Sequence, residues 1–175
     1  AGIIGGPPTD TTSPRFYVSG AHHSTMKELD GLGIQIKPLG DEIGRASAIK
    51  MCYASLTKGT WALYIALLTT AESLGLSDEL KEEFAFSQPL ALRAMESRLA
   101  SVPSKAGRWI GEMEEIAATF ADQGVTPLFH KGSAEIYRLI GRSPFASELV
   151  GTEDGSRNLS QTIRALSDLV NYEHS

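Results

Sequence analysis

The spacing of apolar positions along this chain changes period once. Before about residue 43 apolar residues come in short runs or alternate with polar ones, as in strands. Beyond it they recur every three or four residues, as in helices. Ile3-Ile4 reads as a buried strand running into Gly5-Gly6, and Arg15-Phe16-Tyr17-Val18-Ser19 as a second strand closed by Gly20. Ser24 is expected to cap a short helix over Thr25 to Leu32, with Met26, Leu29 and Leu32 at helical spacing. Gly31 and Gly33 end it, and Ile34-Gln35-Ile36-Lys37 alternates as a half-buried strand should. A Thr/Asp/Ser loop fills the space between Pro7 and Pro14. Three strands and one helix are too little for an independent sheet domain.

From Asp41 onward the strand pattern stops. One long helix is expected from about Ile43 to Leu74, ended by Gly75. Its stretch Trp61 to Leu68 is apolar all round and should be wrapped by neighbours. Gly59 inside that helix costs about 1 kcal/mol against alanine, which a close helix approach would offset. Shorter helices follow near 77–86, 88–101, 104–123, 128–141 and 158–172, with Ser77 and Ser87 as expected caps. Pro103, Pro127 and Pro144 mark boundaries, and 151–156 reads as an exposed loop. The expected fold is mostly α: a short β-β-α-β segment over 1–43, then a helical domain over 44–175.

Composition narrows the function classes. Hydrophobic residues make up 42% and charged residues 21%, an ordinary globular balance. Lysine and arginine number 16 against 21 acids, a net charge of −5, so the chain lacks the positive field of a nucleic-acid binder. Cys52 is the one cysteine, which excludes an internal disulfide and a cysteine-based zinc site. The longest apolar run has eight residues, Trp61 to Leu68, against about 20 for a bilayer span. No membrane association and a cytoplasmic location are therefore expected. A chain opening inside a core strand is itself expected to be the later part of a longer one, because natural termini are usually frayed and polar.

The junction between the two regions is distinctive. Gly5-Gly6 closes a strand, a β-α-β tail follows, and Gly44-Arg45-Ala46-Ser47-Ala48-Ile49-Lys50 opens the long helix. This resembles the β-hydroxyacid dehydrogenase and 6-phosphogluconate dehydrogenase superfamily, in particular its 6-phosphogluconate dehydrogenase C-terminal-like part. The resemblance implies that residues 1–43 are the tail of a Rossmann-type nucleotide-binding domain. It also implies that 44–175 form an all-α, dimer-forming domain. Gly5 and Gly6 match the superfamily's substrate-binding turn, although the serine expected before them is Ile4. Gly44 matches the first glycine of the helix motif, Ala46 stands at the second, and Lys50 falls on the catalytic lysine. The asparagine four residues later is Ala54, with Tyr53 the nearest polar substitute and Ser47 one turn before Lys50. The phrases 49–59 and 108–116 resemble the same narrower branch.

A lysine beside a substrate hydroxyl can serve as general acid and base, which is what oxidation of an alcohol requires. The resemblance gives that role to Lys50 and a substrate-binding role to Gly5, Gly6, Ser47 and Tyr53. Lys58, eight residues on and near the same helical face, is a candidate for binding an anionic substrate; a solvated lysine is the plain alternative. No Gly-x-Gly-x-x-Gly fingerprint occurs, so no dinucleotide site is expected in this chain alone. Adjacent His22 and His23 point apart on a turn and do not suggest a metal, and His130 reads as a surface or capping group. Cys52 reads as core packing, Glu112, Glu114 and Glu115 as a solvated face, and Trp109 with Glu112 as a possible cleft lining.

Two readings follow. One is the C-terminal portion of an NAD- or NADP-dependent oxidoreductase acting on a small hydroxyacid or sugar acid. It would be homodimeric, and inactive without its dinucleotide-binding half. The other is a non-enzymatic helical module for dimerisation or ligand binding.

Overall fold

The computed structural model describes residues 1–173. The chain divides into two compact units, Ala1–Leu56 and a second beginning at Thr57. The fold class is the expected one, a small sheet segment followed by helices.

The first unit holds three strands, β1 (Gly2–Ile4), β2 (Arg15–Val18) and β3 (Gln35–Pro38), in the order β1-β2-β3. β1 pairs antiparallel with β2 in the register Gly2↔Tyr17 to Ile4↔Arg15, and β2 pairs parallel with β3. Ile4, Val18 and Ile36 supply its buried aliphatic side chains, whereas Ile3 is exposed, so β1 is not buried throughout as its composition suggested. The expected α-helix at 25–32 is a 3₁₀ segment, His23–Leu29, with no buried residue and no cap from Ser24. A seven-residue segment with no face to bury gains little from α-helical hydrogen bonding. Asp30 Oδ1 instead accepts the Ile36 N–H at 2.8 Å, tying the turn to β3.

α1 (Arg45–Ser73) carries the chain out of the first unit into the second. It ends as expected at Gly75. The Gly75 N–H bonds the Glu72 carbonyl, the Leu76 N–H bonds the Ala71 carbonyl, and Gly75 takes φ +69, a left-handed turn that suits glycine. The expectation that Trp61–Leu68 is covered on every side fails within the chain. Ala62 and Ile65 are buried, but Leu63 is half exposed.

The second unit continues with α2 (Ser77–Ser87), α3 (Pro89–Arg98), α4 (Pro103–Asp122), α5 (Leu128–Ile140) and α6 (Leu159–Glu173). The expected single helix at 88–101 is α3 followed by a 3₁₀ turn, Leu99–Ser101, because Pro103 then starts α4 at the position where proline is tolerated. Neither serine expected as a cap is one. Ser77 donates to the Glu72 carboxylate, and Ser87 bonds back to the Glu83 carbonyl at 2.9 Å. The box that does form is at α6: Asn158 Oδ1 accepts the Gln161 N–H at 3.0 Å, and Gln161 Oε1 accepts the Asn158 N–H at 2.8 Å. The core of the unit is the α4–α5 pair, where Trp109, Met113, Ile116 and Ala117 face Ala134, Tyr137 and Ile140 at helical spacing. No helix among the described residues is long and apolar enough to cross a membrane.

Candidate functional site

In the first unit, β1 lies directly on the first two turns of α1. A Cβ added at Gly2 would overlap the Ala46 carbonyl oxygen and stand 3.2 Å from Lys50 Cβ, so only glycine lets the strand come this close. Ser19, just past β2, accepts the Ala46 N–H at 3.1 Å through its Oγ. That bond satisfies one of the free donors at the start of α1 and fixes the helix against the sheet. Neither Gly2 nor Ser19 was read from the sequence as part of the site. A glycine in a strand is the available signal for close backbone approach; nothing local marks Ser19, 27 residues away from its partner.

Lys50 is half-buried on the stripe Ala46–Lys50–Ala54, where both alanines are buried. The position that would carry asparagine in the superfamily pattern thus faces inward as a methyl group. Ile4, where the pattern has serine, is 5% exposed. Ser47 and Tyr53 lie on exposed turns of α1. Gly5 holds φ +118 with Pro14 behind it, and Gly6 is exposed with open space around it. Cys52 is exposed, contrary to the core role expected, because it lies off the buried alanine stripe.

Lys58 belongs to a different cluster, in the second unit. Its ammonium pairs with Glu112, which also receives Arg108 Nε at 3.3 Å, and stands 6.0 Å from the Trp109 ring centre. The Lys58 carbonyl accepts the Tyr137 hydroxyl at 2.6 Å. Tyr137 is fully buried, and that burial pushes its pKa well above the ordinary tyrosine value. Glu112 is therefore drawn into an interior pair rather than lying on a solvated face, and Glu114 is held by Arg138. Gly59 is buried against Phe129 of α5, where an added Cβ would lie 3.0 Å from the ring, which accounts for the mid-helix glycine.

His130 is 5% exposed, not a surface group. Its ring lies edge-on between Phe120 and Phe129, with Nδ1 unpartnered, and burial lowers its pKa. His23 Nδ1 lies 3.1 Å from the Gly20 carbonyl and 3.2 Å from Asp41. As expected of a cleft residue, Trp109 lines a pocket, together with Trp61, Arg98, Ser101, Val102 and Lys105.

Comparison with known proteins adds relatives. A model of a domain of unknown function, DUF1932, matches residues 71–140, from the end of α1 through α5. The conserved protein MTH1747 of unknown function, whose structure is described as similar to 3-hydroxyacid dehydrogenases, matches with TM-score 0.63 at 31% identity. That match covers 79% of this chain and 54% of the other. The superfamily resemblance is borne out. A conserved hypothetical protein from Sinorhizobium meliloti 1021 shares the fold with TM-score 0.70 at 22% identity, over 87% of this chain and 51% of that one. An uncharacterized 28.5 kDa protein of Methanothermus fervidus is 36% identical over 68 residues, 39% of this chain and 27% of that protein. The chain thus spans about half the length of the solved chains it matches, and the curated match takes in about a quarter of its relative.

Proposed function

We propose that this chain is the C-terminal portion of an NAD(P)-dependent oxidoreductase acting on a small hydroxyacid or sugar acid, with Lys50 as its proton-transfer group. The observation that carries the reading is the close packing of β1 onto the turn of α1 that bears Lys50. The strand leads straight into the Gly5-Gly6 turn, so a substrate-holding turn and a proton donor and acceptor are built onto one small unit. Lys50 takes or returns the proton of the substrate hydroxyl, and Gly5, Gly6, Ser47 and Tyr53 form the substrate set. Lys58, whose ammonium is held by Glu112, is left out of that set.

The residues of this chain do not fit a dinucleotide. The glycine-rich turn is absent from the sequence, and the Ala46 N–H at the start of α1 is already taken by Ser19. In this reading the cofactor is bound elsewhere in the encoded protein. The protein works as a homodimer in the cytoplasm, the exposed Leu63 of the apolar α1 segment supporting association, which light scattering over a concentration series would test.

A second reading, a non-enzymatic helical module, is favoured by one observation. The two polar side chains missing from the superfamily pattern are replaced by the buried Ile4 and Ala54. One experiment separates the two. The encoded protein carrying this chain is assayed for NAD(H)- or NADP(H)-linked turnover of a panel of small hydroxyacids, with Lys50→Met alongside. Under the enzyme reading the variant keeps its melting temperature and dinucleotide affinity and loses about 10²-fold or more in turnover. Near-normal turnover of the variant rejects the role of Lys50. Absence of dinucleotide binding by the encoded protein favours the module.

A further inference from the structure

We infer that the helical unit holds a separate binding site for a small aromatic anion, in the pocket between Trp61 and Trp109. The pocket has a volume of about 250 Å³ and is lined by Trp61, Arg98, Ser101, Val102, Lys105 and Trp109. Two of these six are cations and none is an acid. Lys105 Nζ donates to Ser101 Oγ at 3.0 Å, which leaves ammonium protons for a ligand. Arg98 has no carboxylate partner among the described residues. Glu153 is close enough to feel the charge of Lys105, but its oxygens are engaged by Ser104 Oγ at 2.7 Å and by the Gly151 N–H at 2.8 Å.

The walls select the rest of the ligand. The Trp109 indole is fixed edge-on to the fully buried Tyr137, with ring centres 5.3 Å apart, so it presents a rigid surface. Its Nε1–H is buried with no acceptor among the described residues, an unmet donor of the kind that is rare in folded proteins. Indole faces pack well against planar rings, and arginine and lysine fix a carboxylate or phosphate head. Indoles alone would also suit a cation, but Arg98 and Lys105 repel one. Size agrees: an apolar cavity of about 150 Å³ admits benzene, so this pocket has room for a ring with an anionic head. The ligand class is therefore an aryl carboxylate or aryl phosphate. The site does not include Lys50, and it stands or falls independently of the hydroxyacid reading.

The two tryptophans of this chain both line this pocket, so the fluorescence of the 175-residue chain reports on it. The protein is titrated with benzoate, phenyl phosphate, inorganic phosphate, benzyl alcohol and benzylamine, with calorimetry as an independent readout. Saturable binding of benzoate or phenyl phosphate is expected, about tenfold or more tighter than benzyl alcohol, inorganic phosphate or benzylamine. Which of the two aryl anions binds better identifies the head group. Arg98→Gln with Lys105→Gln should weaken the aryl anion by about tenfold or more, while Arg93→Gln leaves it unchanged. Equal affinity for benzyl alcohol and benzoate would reduce the pocket to an apolar slot. Equal affinity for inorganic phosphate would reduce it to a cationic surface. Either result, or no saturable response to either aryl anion in the millimolar range, overturns the inference without touching the role of Lys50.

Discussion

Replacing Gly2 by alanine tests the packing on which the candidate site depends. The new methyl would overlap the Ala46 carbonyl oxygen and lie 3.0 Å from its carbonyl carbon, both rigid helix backbone. Relief requires β1 to move by something on the order of 1 Å, the kind of overpacking that costs about 1–3 kcal/mol. The strand cannot answer by sliding one residue, because that would turn Ile4 outward and Ile3 inward. Its other choice is to detach. Detachment exposes the buried Ile4 and breaks a three-residue pairing with β2, and burying one isoleucine is worth about 1.5–3 kcal/mol. The two routes bracket the loss of stability at about 1–3 kcal/mol, confined to the first unit. Amide hydrogen exchange followed by mass spectrometry reads the outcome directly. Protection of the β1 and β2 amides should fall in the variant while α4 and α5 stay unchanged. Unchanged protection of β1 would show that the strand does not rest on the Lys50 turn, and the argument for the site would lose its main support.

Two further changes probe the helical unit. The Arg157 guanidinium is buried, paired through its two terminal nitrogens with Glu148, bonded to the Ala100 carbonyl at 2.5 Å and stacked 4.2 Å over Phe145. Glu148→Ala strands that charge and should cost about 3 kcal/mol in chemical denaturation. Glu148→Leu with Arg157→Met should come within about 1 kcal/mol of the parent, so equal losses would refute the pairing argument. For His130 the folded pKa lies below the unfolded one, so the unfolded chain takes up the proton first as pH falls. Stability should therefore decline below about pH 6.5, by at most ~1.4 kcal/mol per pH unit for one proton, and His130→Phe should flatten that decline in urea titrations. A parent and variant with the same slope would remove the histidine from the account.

Periodicity carried most of the fold. The change from strand to helix spacing near residue 43, the Gly75 terminator and the boundaries of α4, α5 and α6 were legible to within about two residues, the usual precision of helix ends. Errors came where a local signal competed with a partner remote in sequence. Ser77 looks like a cap from its neighbours alone, yet the Glu72 carboxylate claims its hydroxyl. His130 looks like a helix-start polar group, but the aromatic rings that enclose it include Phe120 on the preceding helix. Lys50 was legible through the pattern around it. The glycine that brings β1 against its turn and the serine that anchors that turn were not, because both act through contacts made only after folding.

The phrase from Ile49 to Gly59 divides between two kinds of work. Helical spacing puts Lys50 and Lys58 on nearly one face, which suggests two cations serving one ligand. The contacts argue otherwise for the second lysine. Its carbonyl takes the Tyr137 hydroxyl, its ammonium takes Glu112, and the next residue, Gly59, admits the Phe129 ring. Backbone and side chain at 58–59 are thus committed to α4 and α5. Recruiting Lys58 to a substrate would leave a half-buried carboxylate with Arg108 as its one cation among the described residues. The cost of uncovering a paired, partly buried charge sets a high threshold for that exchange. Among the described residues no ion pair engages Lys50: the turns on either side of it carry the buried Ala46 and Ala54. A lysine set between two buried alanines is poorly explained by packing, whereas one bonded to a glutamate beside a buried tyrosine is fully explained by it. Chemistry is therefore sought at the first lysine and architecture at the second.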